Sequence, residues 1–256
     1  MEKAHNPVGR SYLIRVSSEK GGVGKTIVSV NLAIALSKLK YKTLLIDFDL
    51  SDPNVDLNFD ISKITCGYFE VLLGKCALKE SLRRYSTYLD IIPSSPVELN
   101  QKIQSQRLEE IANKTLDLGY DFIIVDTAPG LLYLYLIRYI NEALIVSTSE
   151  MSSVISSARL SKQLGERGIT SNFVINKYAK NEYVVDISDV ESLLGRRVLA
   201  TLPETNAVPL SISKRNPALL MNKNKLFSKG IYELARHFIS QRKLFNTTNK
   251  SRYAIR

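Results

Sequence analysis

Short apolar runs alternate with longer helical patterns along most of the chain. The segments 12–17, 43–47, 89–93, 122–126, 143–147, 172–176 and 198–202 are rich in Ile, Leu and Val without polar alternation, which is what strands covered on both faces require. Between them the spacing predicts helices over 25–40, 71–84, 108–118, 131–140, 153–167 and 189–194. A last helix is expected over 225–245, where Ile231, Leu234, Ala235, Phe238 and Ile239 follow i, i+3, i+4, i+7, i+8 spacing. Alternating strands and helices predict an α/β fold with a mostly parallel twisted sheet and helices on both faces. In such sheets ligands bind outside the carboxyl ends of the strands. Several expected strands end there in polar clusters: Ser17-Ser18-Glu19, Asp47-Phe48-Asp49 and Asp126-Thr127-Ala128.

Composition narrows the class. The chain has 256 residues, 45% hydrophobic and 23% charged, which suits one globular domain over 1–245 with a basic, mobile tail over 246–256. The apolar runs are too short to cross a bilayer, and residues 1–10 lack the apolar stretch of a secretory signal, so the expected setting is the cytoplasm. Cys66 and Cys76 lie ten positions apart with no histidine nearby. That is neither a metal pattern nor a disulfide framework, and two small buried apolar side chains are expected. The net charge is +10, but eleven of the Lys and Arg residues against two acids fall in the last 56 positions. A near-neutral body with a basic end fits contact with a polyanion, either nucleic acid or an acidic membrane surface; a solvated tail fits as well.

The candidate chemistry starts where the first strand runs into Glu19-Lys20-Gly21-Gly22-Val23-Gly24-Lys25-Thr26 and a helix follows. Strand, glycine-rich turn and helix are the context of a phosphate-binding loop. The glycines let successive N–H groups turn inward, and the helix N-terminus favours the same anion. Lys25 is placed for the β- and γ-phosphates of ATP, and the Thr26 hydroxyl for Mg²⁺. A second strand ends in Asp47-Phe48-Asp49 and a third in Asp126-Thr127-Ala128-Pro129-Gly130. Carboxylates at these ends can hold a hydrated Mg²⁺ or orient a water; capping and solvation are the other uses of Asp47 and Asp49. Asp52 before Pro53 suits a turn.

The run Lys20-Gly21-Gly22-Val23-Gly24-Lys25-Thr26 resembles the deviant Walker A signature of the MinD/ParA family of P-loop ATPases, and similar segments extend from about residue 15 to 217. The resemblance implies a P-loop NTPase fold of SIMIBI type, Mg²⁺-dependent ATP hydrolysis, and a homodimer that closes over two nucleotides. It implies that Lys20 reaches the partner's ATP, that Asp49 orients the attacking water and meets the metal, and that Asp126 holds Mg²⁺ with Thr26. It also implies nucleotide contacts from Gly21, Gly22, Val23, Gly24 and Ile27, with Asn176, Pro203 and Glu204 beside the base. Glu19 and Ile27 depart from the family's usual Gly or Gln and Thr or Ser, so Ile27 offers only its backbone N–H. A protein that stimulates hydrolysis is the expected partner. DNA and membrane remain alternative surfaces, with the chain at the membrane periphery or on the nucleoid. Outside spatial organisation, the same superfamily offers metal-centre assembly or another small-substrate ATPase, but no cysteine follows Cys76.

Overall fold

The computed structural model describes residues 11–49, 52–61, 63–95, 103–130, 139–179 and 185–253, with side chains to 248. Among the described residues eight strands form one sheet: β1 (Tyr12–Ser17), β2 (Thr43–Phe48), β3 (Arg83–Ser86), β4 (Leu89–Ile92), β5 (Phe122–Thr127), β6 (Glu142–Ser147), β7 (Thr170–Tyr178) and β8 (Ala200–Pro203). Their order is β3-β4-β2-β5-β1-β6-β7-β8, and every neighbouring pair is parallel except β3 with β4.

Alternation along β1 sends its side chains into two cores. Ile14 and Val16 face α1 (Lys25–Lys38) and the last helix, α9 (Lys225–Tyr253), whereas Leu13 joins Leu44, Ile46, Ile123 and Val125 on the opposite face. That second face is covered by α2 (Tyr68–Leu72), α3 (Leu78–Ser81) and α4 (Ser105–Leu116). Helices α5 (Met151–Gly165) and α6 (Ile187–Leu194) flank β6 and β7, and the short α7 (Ala207–Ser213) and α8 (Ala218–Met221) precede α9. The central strands are buried along their whole length, which explains why their sequences carry no polar alternation.

Three departures from the sequence reading have physical causes. The helix expected over 71–84 is two short helices and a strand. The chain turns back at Gly74, whose N–H donates to the Val71 carbonyl at 3.0 Å, and Glu80 then caps α3 by accepting the Ala77 N–H at 2.6 Å. Cys66 and Cys76 are joined in a disulfide across this turn, so they are not two independent buried thiols. α9 does not stop at 245 but runs to Tyr253. No Gly or Pro interrupts that stretch, and the Thr247 and Thr248 hydroxyls donate back to the carbonyls of Lys243 and Leu244 at 2.9 and 3.0 Å. Most of the helix expected over 131–140 lies outside the described residues.

α9 is tied to the body by Arg242, which contacts Asp121 at 2.6 Å, and by His237 beside Glu142 at 3.2 Å. Among the described residues no helix is long and apolar enough to cross a membrane.

Candidate phosphate-binding site

β1 feeds the loop Gly21–Gly24, and α1 begins at Lys25. Gly24 caps the helix in the left-handed region, at φ 91°. A Cβ there would also sit 2.3 Å from Asn176 Nδ2, so both conformation and space demand glycine. The first turn of α1 holds no acid, which keeps its N-terminal field free to attract an anion.

Two residues at the end of β7 shape this loop from outside. The Asn176 amide donates to the Val23 carbonyl at 2.9 Å, and Lys177 Nζ donates to the Gly22 carbonyl at 2.8 Å. Carbonyls held on that side leave the intervening N–H groups for the other, as a phosphate cradle requires. The amide group of Asn176, expected beside the base, is thus already engaged on the loop. Lys177 escaped the sequence reading; its only signal was its place after that Asn.

Thr26, Ser29, Asp47, Asp49 and Asp126 converge at the ends of β2 and β5. Thr26 Oγ1 donates to Asp126 Oδ2 at 2.7 Å and Ser29 Oγ to Asp126 Oδ1 at 2.8 Å. Asp47 and Asp126 are opposed residues on adjacent parallel strands, and both are buried. Burial pushes the Asp126 carboxyl up to about 6, against the Thr26 and Ser29 hydroxyls and the Lys25 charge, which pull it down. Burial, and then the nearby Asp126 charge, raises Asp47 well above the ordinary range.

Asp47 organises the loop that follows it. Its Oδ1 accepts the N–H of Asp49 at 3.1 Å, and its Oδ2 accepts those of Asn54 and Val55 at 3.1 and 3.0 Å. Asp49 is half-buried, and its charge adds to the upward pressure on Asp126. Thr26 and Asp126, in contact, with Asp49 close enough for its charge to act on Asp126, offer only oxygen donors, which fits a hard divalent cation such as Mg²⁺.

Lys20 turns towards its own chain, with Nζ 2.5 Å from Ser152 Oγ in the first turn of α5. Ile27 is buried against the α1 core, as a residue contributing only its backbone should be. Pro203 ends β8, and Glu204 follows it, exposed, with its N–H on the Tyr178 carbonyl at 3.0 Å. They lie beside β7 through the Tyr178–Pro203 pairing.

The sequence matches the AAA domain family over residues 11–172. It is 27% identical over 247 residues to a putative septum site-determining protein MinD of Oltmannsiellopsis viridis, covering 93% of this chain and 78% of that one. The structure superposes on the septum site-determining protein MinD of Pyrococcus horikoshii, complexed with Mg-ADP, with a TM-score of 0.79 and 25% identity, covering 89% of this chain and 95% of that one. A ParA family ATPase of Chlorobium tepidum shares the fold, with a TM-score of 0.78 at 21% identity over 90% of this chain and 99% of that one.

Proposed function

The chain belongs to the AAA domain family, in its MinD/ParA branch of P-loop ATPases, and from that membership we propose that it is an ATP-hydrolysing switch for division-site placement or for chromosome or plasmid partition. The observation that carries the reading is the clasp of Thr26 and Ser29 on buried Asp126, directly after a loop whose carbonyls are held outward by Asn176 and Lys177.

In this reading the N–H groups from Gly21 to Ile27 receive the phosphates of ATP, and Lys25 neutralises charge on the β- and γ-oxygens. Thr26 and Asp126, with Asp49 nearby, would hold Mg²⁺, which would supply neutralisation of phosphate charge. Asp49 orients the water that adds to the γ-phosphorus as the bond to the bridging oxygen breaks. Asn176 keeps one amide hydrogen on Val23 and offers its remaining polar positions to the base, beside Pro203 and Glu204. Lys20 leaves Ser152 and reaches the nucleotide of a second copy, so that the ATP state is a homodimer. A protein partner that stimulates hydrolysis resets it.

The basic end supplies the surface for a polyanion. Arg242 is committed to Asp121, Arg215 to Asp60 and Lys229 to Glu233, which leaves Lys214, Lys223, Lys225, Arg236 and Lys243 as the described residues to bear that contact. The chain would then work in the cytoplasm, at the membrane periphery or on the nucleoid. Within it, residues 1–245 act as the ATPase domain and 246–256 as its basic extension.

The test is co-sedimentation of the ATP-bound protein with DNA and with acidic liposomes over a salt series. Salt-sensitive binding to DNA alone selects the partition reading, because phosphate contacts release counterions. Salt-tolerant liposome binding selects division-site placement. Binding to neither, in any nucleotide state, refutes the positioning role.

A further inference from the structure

Arg15 lies in the middle of β1 and is 3% exposed, among strands that are otherwise almost wholly apolar. Its register neighbours are Val125 on β5 and Ala143 on β6, neither of which can pair with a cation. Among the described residues its guanidinium meets no carboxylate. Its Nε donates to Ser17 Oγ at 2.7 Å and its Nη2 to the Gly130 carbonyl at 2.9 Å.

A buried cation with only neutral acceptors is costly, and an apolar side chain would fill the same place without that cost. Burial lowers the Arg15 pKa to about 10, so the group stays charged at neutral pH. Something must be gained at the acceptors. Ser17 is two residues along the strand and so on the same face, where it orients the guanidinium. Gly130 is the distant partner, 115 residues along the chain.

Gly130 lies in the segment that leaves β5 after Asp126 and Thr127. Its φ of 80° is left-handed, and no neighbouring atom would obstruct a Cβ, so its glycine serves the conformation and not the space. The residue is pinned at both ends. Its N–H donates to the Ser18 carbonyl at 2.7 Å, and its carbonyl accepts from Arg15. Ser18 directly precedes the phosphate loop, and the Ser18 hydroxyl donates to the Lys20 carbonyl at 2.6 Å. At the root of the same loop, Thr127 Oγ1 donates to the Val16 carbonyl at 2.8 Å. β1 and the residue after it therefore hold both Thr127 and Gly130, and among the described residues Arg15 contributes the one charged contact.

We propose that Arg15 is a positioning residue for the 127–130 loop: it holds the Gly130 carbonyl and so fixes where that loop stands relative to Asp126 and the terminal phosphate. Arg15 touches neither nucleotide nor metal. Its effect on turnover rests on the ATPase reading above; its hold on Gly130 does not.

Two measurements separate these. In nucleotide-free protein, exchange of the Gly130 N–H, which is bonded to the Ser18 carbonyl, reports how often this segment leaves β1, an opening that the Arg15 contact opposes. Arg15→Met, which keeps the length and removes the donors, should speed it by about tenfold, the scale of one hydrogen bond to a charged group, and Arg15→Lys should restore part of the protection. Under saturating Mg-ATP the same Met variant should lower kcat by about tenfold while KM stays within about twofold, because no nucleotide contact is lost. Exchange at Gly130 unchanged in a folded Arg15→Met overturns the proposal. Should that variant fail to fold, Arg15→Lys carries the test: intermediate exchange supports the hold, and parental exchange refutes it. If the parent hydrolyses no ATP, the functional reading fails while the exchange result still decides the role of Arg15.

Discussion

Replacing Asp126 with Asn should make the nucleotide-free protein more stable at neutral pH, although it removes a group the proposed activity needs. The folded Asp126 carboxyl sits at about 6, above the ordinary aspartate value of 3.8, chiefly through burial. Between those two values the folded state holds the proton that the unfolded chain has released. With respect to this group, stability is therefore greatest below pH 3.8 and falls as pH rises through about 6. A shift of about two units corresponds to an upper limit of about 3 kcal/mol at pH 7, or roughly 6–10 °C in Tm for a chain of this size. Asn has nearly the same shape, and the Thr26 and Ser29 hydroxyls can each donate or accept, so the clasp can be rebuilt around a neutral amide. Buried Asp47, opposite on β2, is relieved of a neighbouring charge by the same change. Thermal unfolding of parent and Asp126→Asn from pH 4 to 7.5 reads the effect. The gap should be near zero at pH 4 and should widen in favour of the variant by several degrees at pH 7. At pH 7, Mg-ATP should raise the Tm of the parent far more than that of the variant. A variant less stable than the parent at pH 7, or a gap that ignores pH, would refute the assignment of Asp126 as a strained, cation-seeking carboxylate.

Gly24→Ala should abolish nucleotide binding by calorimetry; adding Asn176→Ala should not restore it, because removing the clash at 2.3 Å leaves the strain of φ 91°. Reducing the Cys66–Cys76 disulfide, or substituting Cys66→Ser, should cost about 3 kcal/mol if the oxidised form is isolated, because the bond closes a short loop in the unfolded chain. Equal Tm with and without dithiothreitol in protein shown by mass to be oxidised would contradict that.

The sheet was legible because its central strands are buried on both faces, and continuous Ile, Leu and Val runs have no other common use at that length. The antiparallel edge strand β3 was not: Arg-Arg-Tyr-Ser is largely exposed and carries no apolar signal. The phosphate loop was legible because glycine, lysine and threonine are all contiguous there. Ser29 was missed because its meaning depends on α1 laying it, one turn after Thr26, against a strand nearly a hundred residues later. Arg15 carried no signal of its own in the sequence, because only the return of Gly130 to β1 gives it a partner from another part of the chain. The cysteine pair was misjudged because spacing says nothing of a turn at Gly74 that folds 66 and 76 together.

The proposed action of Lys20 across a dimer is tested by turnover measured against protein concentration. With saturating Mg-ATP, specific activity of the parent should rise with protein concentration, whereas Lys20→Ala should bind ATP with parental affinity and show little turnover at any concentration. Specific activity independent of concentration in the parent, together with normal turnover in Lys20→Ala, would contradict the account.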